Sequence, residues 1–94
     1  MLTLYQFEGC PYCQTVRQKL SDLELTYVSV CVSPDRGRRQ KVVEASGQPS
    51  VPVLVDGGTV LTDEAQIVAY LERTYPAPPR AAAPNRVAWW RPAP

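Results

Sequence analysis

The chain has 94 residues, 45% of them hydrophobic, and a formal net charge of +1. That length suits one domain rather than two, and the apolar content is enough to bury a core, with a thin stability margin at this size. No apolar run is long enough to span a bilayer, the charge gives no sign of a nucleic-acid partner, and the absence of histidine removes the commonest general base and the commonest zinc ligand.

Leu2 to Phe7 is rich in apolar and aromatic residues and predicts a strand, broken by Gly9. Pro11 suits the first position of a helix, where its missing N–H is not needed. Val16, Leu20 and Leu23 then recur at i, i+4 and i+7, one face of that helix. Thr26 to Val32 alternates and is β-branched, with Val28, Val30 and Val32 on one face, which predicts a second strand. On this pattern Cys31 is expected to be a small core residue. Ser33-Pro34-Asp35 reads as a helix start weakened by Gly37, with helix from Arg38 to Ser46 and Gly47 as its cap. Val53-Leu54-Val55 and Val60-Leu61 flank Asp56-Gly57-Gly58, a hairpin signal because such turns need positive φ. Thr62 or Asp63 caps a last helix, with Gln66 as a capping-box partner of Asp63 and Ile67, Val68, Leu71 and Tyr75 on its apolar face. The order is β-α-β-α-β-β-α, and the first two strands, joined through a helix, are expected to be parallel. Residues 1–75 form the expected domain. Residues 76–94 are crowded with prolines and read as a tail, in which Trp89 and Trp90 are expected either to dock or to stay solvated.

The chemistry lies in Cys10-Pro11-Tyr12-Cys13. Cys-x-x-Cys between a strand and a helix start lets two sulfurs meet, and the helix N-terminus offers free N–H groups and partial positive charge that favour thiolate over thiol on the first cysteine. Cys10 is therefore expected to be an exposed nucleophile and Cys13, one turn inside, the resolving thiol. Arg17 lies four residues further along the helix, where its cation can reach the pair. Half of a structural zinc site is the competing reading, but only Cys31 remains to complete it. The start Met1 to Tyr5 lacks a basic segment followed by an apolar stretch, so a cytoplasmic location is expected, where these cysteines would not form a structural disulfide framework.

Cys10-Pro11-Tyr12-Cys13 resembles the dithiol glutaredoxins, and the resemblance continues through Gly47-Gln48-Pro49-Ser50-Val51-Pro52, Gly57-Gly58 and Leu61-Thr62-Asp63-Glu64. Glu8 to Cys13 followed by Val16-Arg17, and Leu61 to Leu71, are similar to the thioredoxin-like N-terminal domain of glutathione S-transferases. The resemblance covers roughly residues 2 to 75. It implies an α/β thioredoxin fold with a mixed four-stranded sheet flanked by helices. It also implies a glutathione groove, in which Val51 offers its backbone to glutathione like an added strand and Pro52 is a cis-proline beside the cysteines, although only about 5–6% of X–Pro bonds are cis. Tyr12 would pack beside substrate, or only fill the motif's variable position. Gln48 would approach the glycine end of glutathione, or be a solvated loop residue. Asp63 and Glu64, at a helix N-terminus, would hold the γ-glutamyl group, or simply cap the helix.

Two departures weaken that groove. Phe7 stands where many glutaredoxins carry a lysine, and Glu64 where transferase domains usually carry a serine. Arg17, or the cluster Arg36, Arg38, Arg39 and Lys41, would compensate; the cluster is read equally well as a solvated surface. The expected function is a monomeric glutaredoxin-like thiol–disulfide oxidoreductase. It would act on protein disulfides or glutathionylated proteins, with glutathione as co-substrate and no permanently bound cofactor or metal. Two alternatives stay open: a dithiol protein reduced by a thioredoxin-reductase-type flavoenzyme, and a non-catalytic glutathione-binding or redox-sensing interaction module. A conjugating transferase is not expected, because no helical second domain is read in the sequence to form its electrophile pocket.

Overall fold

The computed structural model describes residues 1–78; the expectations for Trp89, Trp90 and the rest of the tail lie outside the described residues. Four strands and three helices follow the expected order: β1 (Leu2–Gln6), α1 (Pro11–Asp22), β2 (Tyr27–Cys31), α2 (Gln40–Ser46), β3 (Val53–Asp56), β4 (Thr59–Leu61) and α3 (Glu64–Thr74). The sheet runs β2-β1-β3-β4, with β1 parallel to β2 and antiparallel to β3, and β3 antiparallel to β4. This is the mixed four-stranded sheet of the thioredoxin fold.

Alternation along β1 splits the sheet into two faces. Leu2 and Leu4 face α1 and α3 and form one core with Val16, Leu20, Leu54, Ile67 and Leu71. Burying each of these side chains contributes about 1.5–3 kcal/mol. On the other face lie Val53, which is fully buried, and Tyr5 and Val30, which share a surface cavity with Lys41, Glu44 and Ala45 of α2.

The register of β1 with β2 corrects one expectation. Val28 and Val30 do share a face, paired with Thr3 and Tyr5, but β2 is an edge strand and Val28 is 47% exposed. Cys31 is exposed rather than in the core. It sits at the end of that edge strand, and its partner in register is the polar Gln6, not a leucine.

The second helix also begins later than expected. Arg36–Arg38 form a single 3-10 turn, capped by Asp35 Oδ1, which accepts the Gly37 N–H at 3.0 Å. Arg39, at φ −102° and ψ 52°, is out of helical conformation. Its guanidinium explains why. Nε donates to the Ser33 carbonyl at 2.8 Å, Nη1 to that of Pro49 at 3.0 Å and Nη2 to that of Pro34 at 3.0 Å. Arg39 is thereby buried at 6% exposure, with Cζ 5.1 Å from the centre of the Phe7 ring. Gly47 ends α2 at φ +82° and Gly57 makes the β3–β4 turn at φ +60°, both conformations that disfavour a Cβ.

Asp56, the last residue of β3, gathers the far end of the sheet. Its Oδ2 accepts the hydroxyls of Tyr75 at 2.7 Å and Tyr70 at 2.8 Å, and its Oδ1 lies 4.0 Å from the Met1 amine. The Tyr75 and Tyr70 hydroxyls hold the Asp56 carboxyl below its ordinary value, while Asp56 in turn raises Tyr70 and pushes Tyr75 up to about 12. A depressed carboxyl stabilises the fold above its unfolded value and loses that contribution as pH falls through the folded one. A raised phenol contributes below its unfolded value of about 10 and loses it as pH rises toward the folded one. The cluster is therefore worth most between those limits. Asp56→Ala is expected to melt several degrees below the parent at neutral pH, with the gap closing in strongly acidic buffer; a gap independent of pH would show that the charge of Asp56 is not what matters.

Candidate functional site

β1 delivers the chain to Gly9, and a Cys10 N–H to Phe7 C=O hydrogen bond of 3.2 Å turns it into α1. Cys10 is the N-cap of that helix and Pro11 opens it, where no N–H is wanted. The Cys10 sulfur takes the place of a capping oxygen and accepts the Cys13 N–H at 3.2 Å. Serving as a cap turns this sulfur inward. Cys10 is only 5% exposed, which corrects the expectation of an exposed nucleophile, and Cys13 is fully buried. Both are free thiols. Burial pushes the Cys13 thiol up to about 12, reinforced by its hydrogen bond to Cys10 and opposed by the Phe7 backbone and the Arg17 cation. Cys13 thus keeps its proton, and the Cys10 sulfur beside it accepts the Cys13 backbone N–H.

Beside the motif lies an open cleft of about 320 Å³ lined by Tyr12, Val51, Pro52, Thr62, Asp63 and Glu64. Tyr12, 61% exposed, is the motif residue that reaches it. The Val51–Pro52 bond is cis, as the resemblance implies, and Pro52 is buried. Val51 precedes β3, and among the described residues its backbone N–H and C=O take no hydrogen-bond partner. At the opposite wall Asp63 caps α3, its Oδ2 accepting the Gln66 N–H at 3.1 Å. The free N–H groups of the first turn of α3 open beside Glu64. The lining residues carry two carboxylates and no cation.

Of the residues singled out from sequence, Tyr12, Val51, Pro52, Asp63 and Glu64 come together in this cleft; Cys10 and Cys13, which flank Pro11-Tyr12 in the chain, are buried and are not among its lining residues. Gln48 does not line it. Its amide braces its own loop: Oε1 accepts the Ser50 N–H at 2.8 Å, and Nε2 donates to the Ser50 carbonyl at 3.1 Å and to Ser46 Oγ at 3.2 Å. The basic cluster does not line it either. Arg39 holds three carbonyls, and Arg38 and Lys41 border a separate cavity of about 260 Å³ beside Cys31. Two residues were not singled out. Thr62, read only as a cap, lines the cleft. Gln6 is buried at 3% exposure, donates from Nε2 to Ser29 Oγ at 2.7 Å, lies 3.8 Å from the Cys31 sulfur, and accepts at Oε1 from Arg17 Nη1 at 2.6 Å. Its signal was a polar residue at a core-facing position of an apolar strand.

The chain matches the family described as glutathione S-transferase, N-terminal domain, over residues 4–79. It is 36% identical over 74 residues to prostaglandin E synthase 2 of Danio rerio, a match covering 79% of this chain and 19% of that protein. Among solved structures, glutathione transferase E6 from Drosophila melanogaster is 33% identical with a TM-score of 0.73, over 94% of this chain and 40% of that one. A glutathione transferase homologue from Drosophila mojavensis, with bound glutathione, is 28% identical with a TM-score of 0.73, over 79% of this chain and 35% of that one. The chain therefore spans about a fifth of the curated relative and well under half of these structures.

Burial gives the three thiols an order of reactivity. Iodoacetamide on the native reduced chain is expected to modify exposed Cys31 readily, Cys10 next, and Cys13 only on unfolding or in strong alkali. Peptide mapping after timed labelling reads this directly, and early modification of Cys13 would contradict the geometry.

Proposed function

Because the chain belongs to the glutathione S-transferase N-terminal domain family, we propose that residues 1–75 form a glutathione-dependent thiol–disulfide oxidoreductase, with Cys10 as nucleophile and Cys13 as resolving thiol. The observation that carries this reading is the pair of free cysteines one helical turn apart, the first capping the helix by accepting the N–H of the second. A transferase that only activates the thiol of glutathione has no use for a second cysteine at that place.

In this reading the Cys10 thiolate attacks the glutathione sulfur of a glutathionylated protein. The disulfide breaks, the protein leaves as a thiol after taking a proton, and glutathione stays on Cys10. A second glutathione thiolate then attacks that disulfide, giving glutathione disulfide and free Cys10. On a protein disulfide, Cys13 displaces the bound substrate chain instead, leaving a Cys10–Cys13 disulfide that two glutathiones reduce. The unpaired Val51 backbone would pair with the cysteine of glutathione by strand addition. The N-terminus of α3 would receive the γ-glutamyl carboxylate, and Asp63 or Glu64 its ammonium. The glutathione seen in the Drosophila mojavensis homologue supports this choice of co-substrate.

The two carboxylates and missing cation of the cleft favour a second reading, in which the same dithiol is reduced by a thioredoxin-reductase-type flavoenzyme and glutathione binds weakly. Parallel assays separate them. Reduction of the oxidised chain by glutathione with its reductase supports the first reading. Turnover only with thioredoxin reductase supports the second, and turnover with neither leaves an interaction module. Under the first reading, Cys10→Ser is expected to abolish all turnover, whereas Cys13→Ser keeps removal of glutathione from proteins and loses reduction of protein disulfides.

A further inference from the structure

We propose, on the reading of Cys10 and Cys13 as a redox pair, that Arg17 is the counter-ion for the thiolate formed on Cys13 when that cysteine resolves a mixed disulfide. Arg17 follows Cys13 by four residues on α1, so the two side chains share a face of the helix. It is half-buried and held by two neutral acceptors. Nη1 donates to Gln6 Oε1 at 2.6 Å and Nη2 to the Glu8 carbonyl at 3.3 Å. Gln6 is itself fixed, because its Nε2 donates to Ser29 Oγ at 2.7 Å and its oxygen is left facing Arg17. Among the described residues neither recorded ion pair involves Arg17. A guanidinium does not lose its proton in a protein. The fold therefore holds a permanent cation on the face of α1 that carries Cys13, tied to neutral acceptors.

The charge acts on Cys13. Arg17 favours ionisation of that buried thiol, which burial and Cys10 oppose. Cys10 is the other titratable group bearing on it; β1 adds neutral Gln6, and the loop after it adds the Phe7 backbone and the exposed carboxylate-bearing Glu8, whose carbonyl holds Arg17. During resolution the Cys10 sulfur is tied in a neutral disulfide, so its opposition disappears, and Arg17 is left to work against burial. Cys13 gives its proton to solvent and attacks the Cys10 sulfur. The bond from Cys10 to the substrate sulfur breaks, and the substrate leaves as a thiolate that takes up a proton. Two electrons pass to the substrate and the Cys10–Cys13 disulfide forms.

The test is a titration in the full chain carrying Cys10→Ser and Cys31→Ser, where Cys13 is the single thiol and its neighbour is neutral, as in the mixed disulfide. Ultraviolet thiolate absorbance is followed against pH with Arg17 intact, with Arg17→Lys and with Arg17→Gln. The glutamine keeps a shorter amide donor but not the charge; the lysine keeps the charge. Arg17→Gln is expected to raise the midpoint by about one pH unit, about tenfold less thiolate at a given pH, and Arg17→Lys by clearly less. In the parent with all three cysteines, Arg17→Gln is then expected to slow protein-disulfide reduction about threefold, the loss of thiolate being partly offset by its higher nucleophilicity, and to slow removal of glutathione from proteins less. Equal midpoints in all three folded forms, or equal shifts for lysine and glutamine, would overturn the proposal and leave Arg17 a structural brace. The titration needs no turnover, so an inactive parent would count against the redox reading and not against the counter-ion.

Discussion

A helix cannot begin without partners for its first N–H groups, and here the partner of one is the sulfur of Cys10. The rest of the site follows from that contact. It requires β1 to end within reach of the helix axis, Pro11 to open the first turn, and Cys13 to lie one turn inside with its N–H directed at the same sulfur. The cap and the candidate nucleophile are one atom. That explains why the sulfur is nearly buried. A reagent must displace Cys10 from its capping contact or reach the 5% of its surface that stays exposed.

The second constraint is a buried guanidinium. Arg39 binds the carbonyls of Ser33, Pro34 and Pro49 and caps the face of Phe7. It joins the loop after β2 to the loop that leads into the cis-proline, and so fixes where Val51 enters the cleft. Each carbonyl would otherwise be short of a donor in a partly buried place. The same residue changes the meaning of Phe7. The chain lacks a lysine at that position, yet a cation sits on the aromatic ring that replaces it. That cation is tied to three carbonyls and lies outside the cleft, so it cannot stand in for a mobile lysine.

Local signals made most of the fold legible. Pro11, Gly47, the Asp56-Gly57 turn and Asp63 each announce an element boundary through a backbone requirement of their own, and the spacing of Val16 and Leu20 shows the buried side of α1. The cis bond at Pro52 was legible only by resemblance, since proline alone argues against it. Lateral relations were not legible. Nothing in residues 26–32 says that their strand lies at the sheet edge, so Cys31 was read as core. Nothing near Arg39 says that carbonyls from two distant loops will surround it, so helix was extended through it. Gln48 matches the motif, but its amide is engaged by its own loop, a competition that shows only once Ser46 and Ser50 have positions. Gln6 needed the register with Ser29 before its burial made sense.

Asp56 also sets the polarity of the unit. It draws together Met1 and Tyr75 where β1 starts and β3 ends, while the thiols lie beyond the other end of β1, about 13 Å away along the strand. The start of β1 and the end of α3 are thus neighbours at one pole, and the two cysteines of the motif are at the other. A short peptide could link residue 75 back to residue 1, with fresh ends opened in the Gly57-Gly58 turn, without crossing the cleft. The same separation lets the unit be grafted as a module by a two-stranded tether on a host surface, its thiols facing away from the point of attachment.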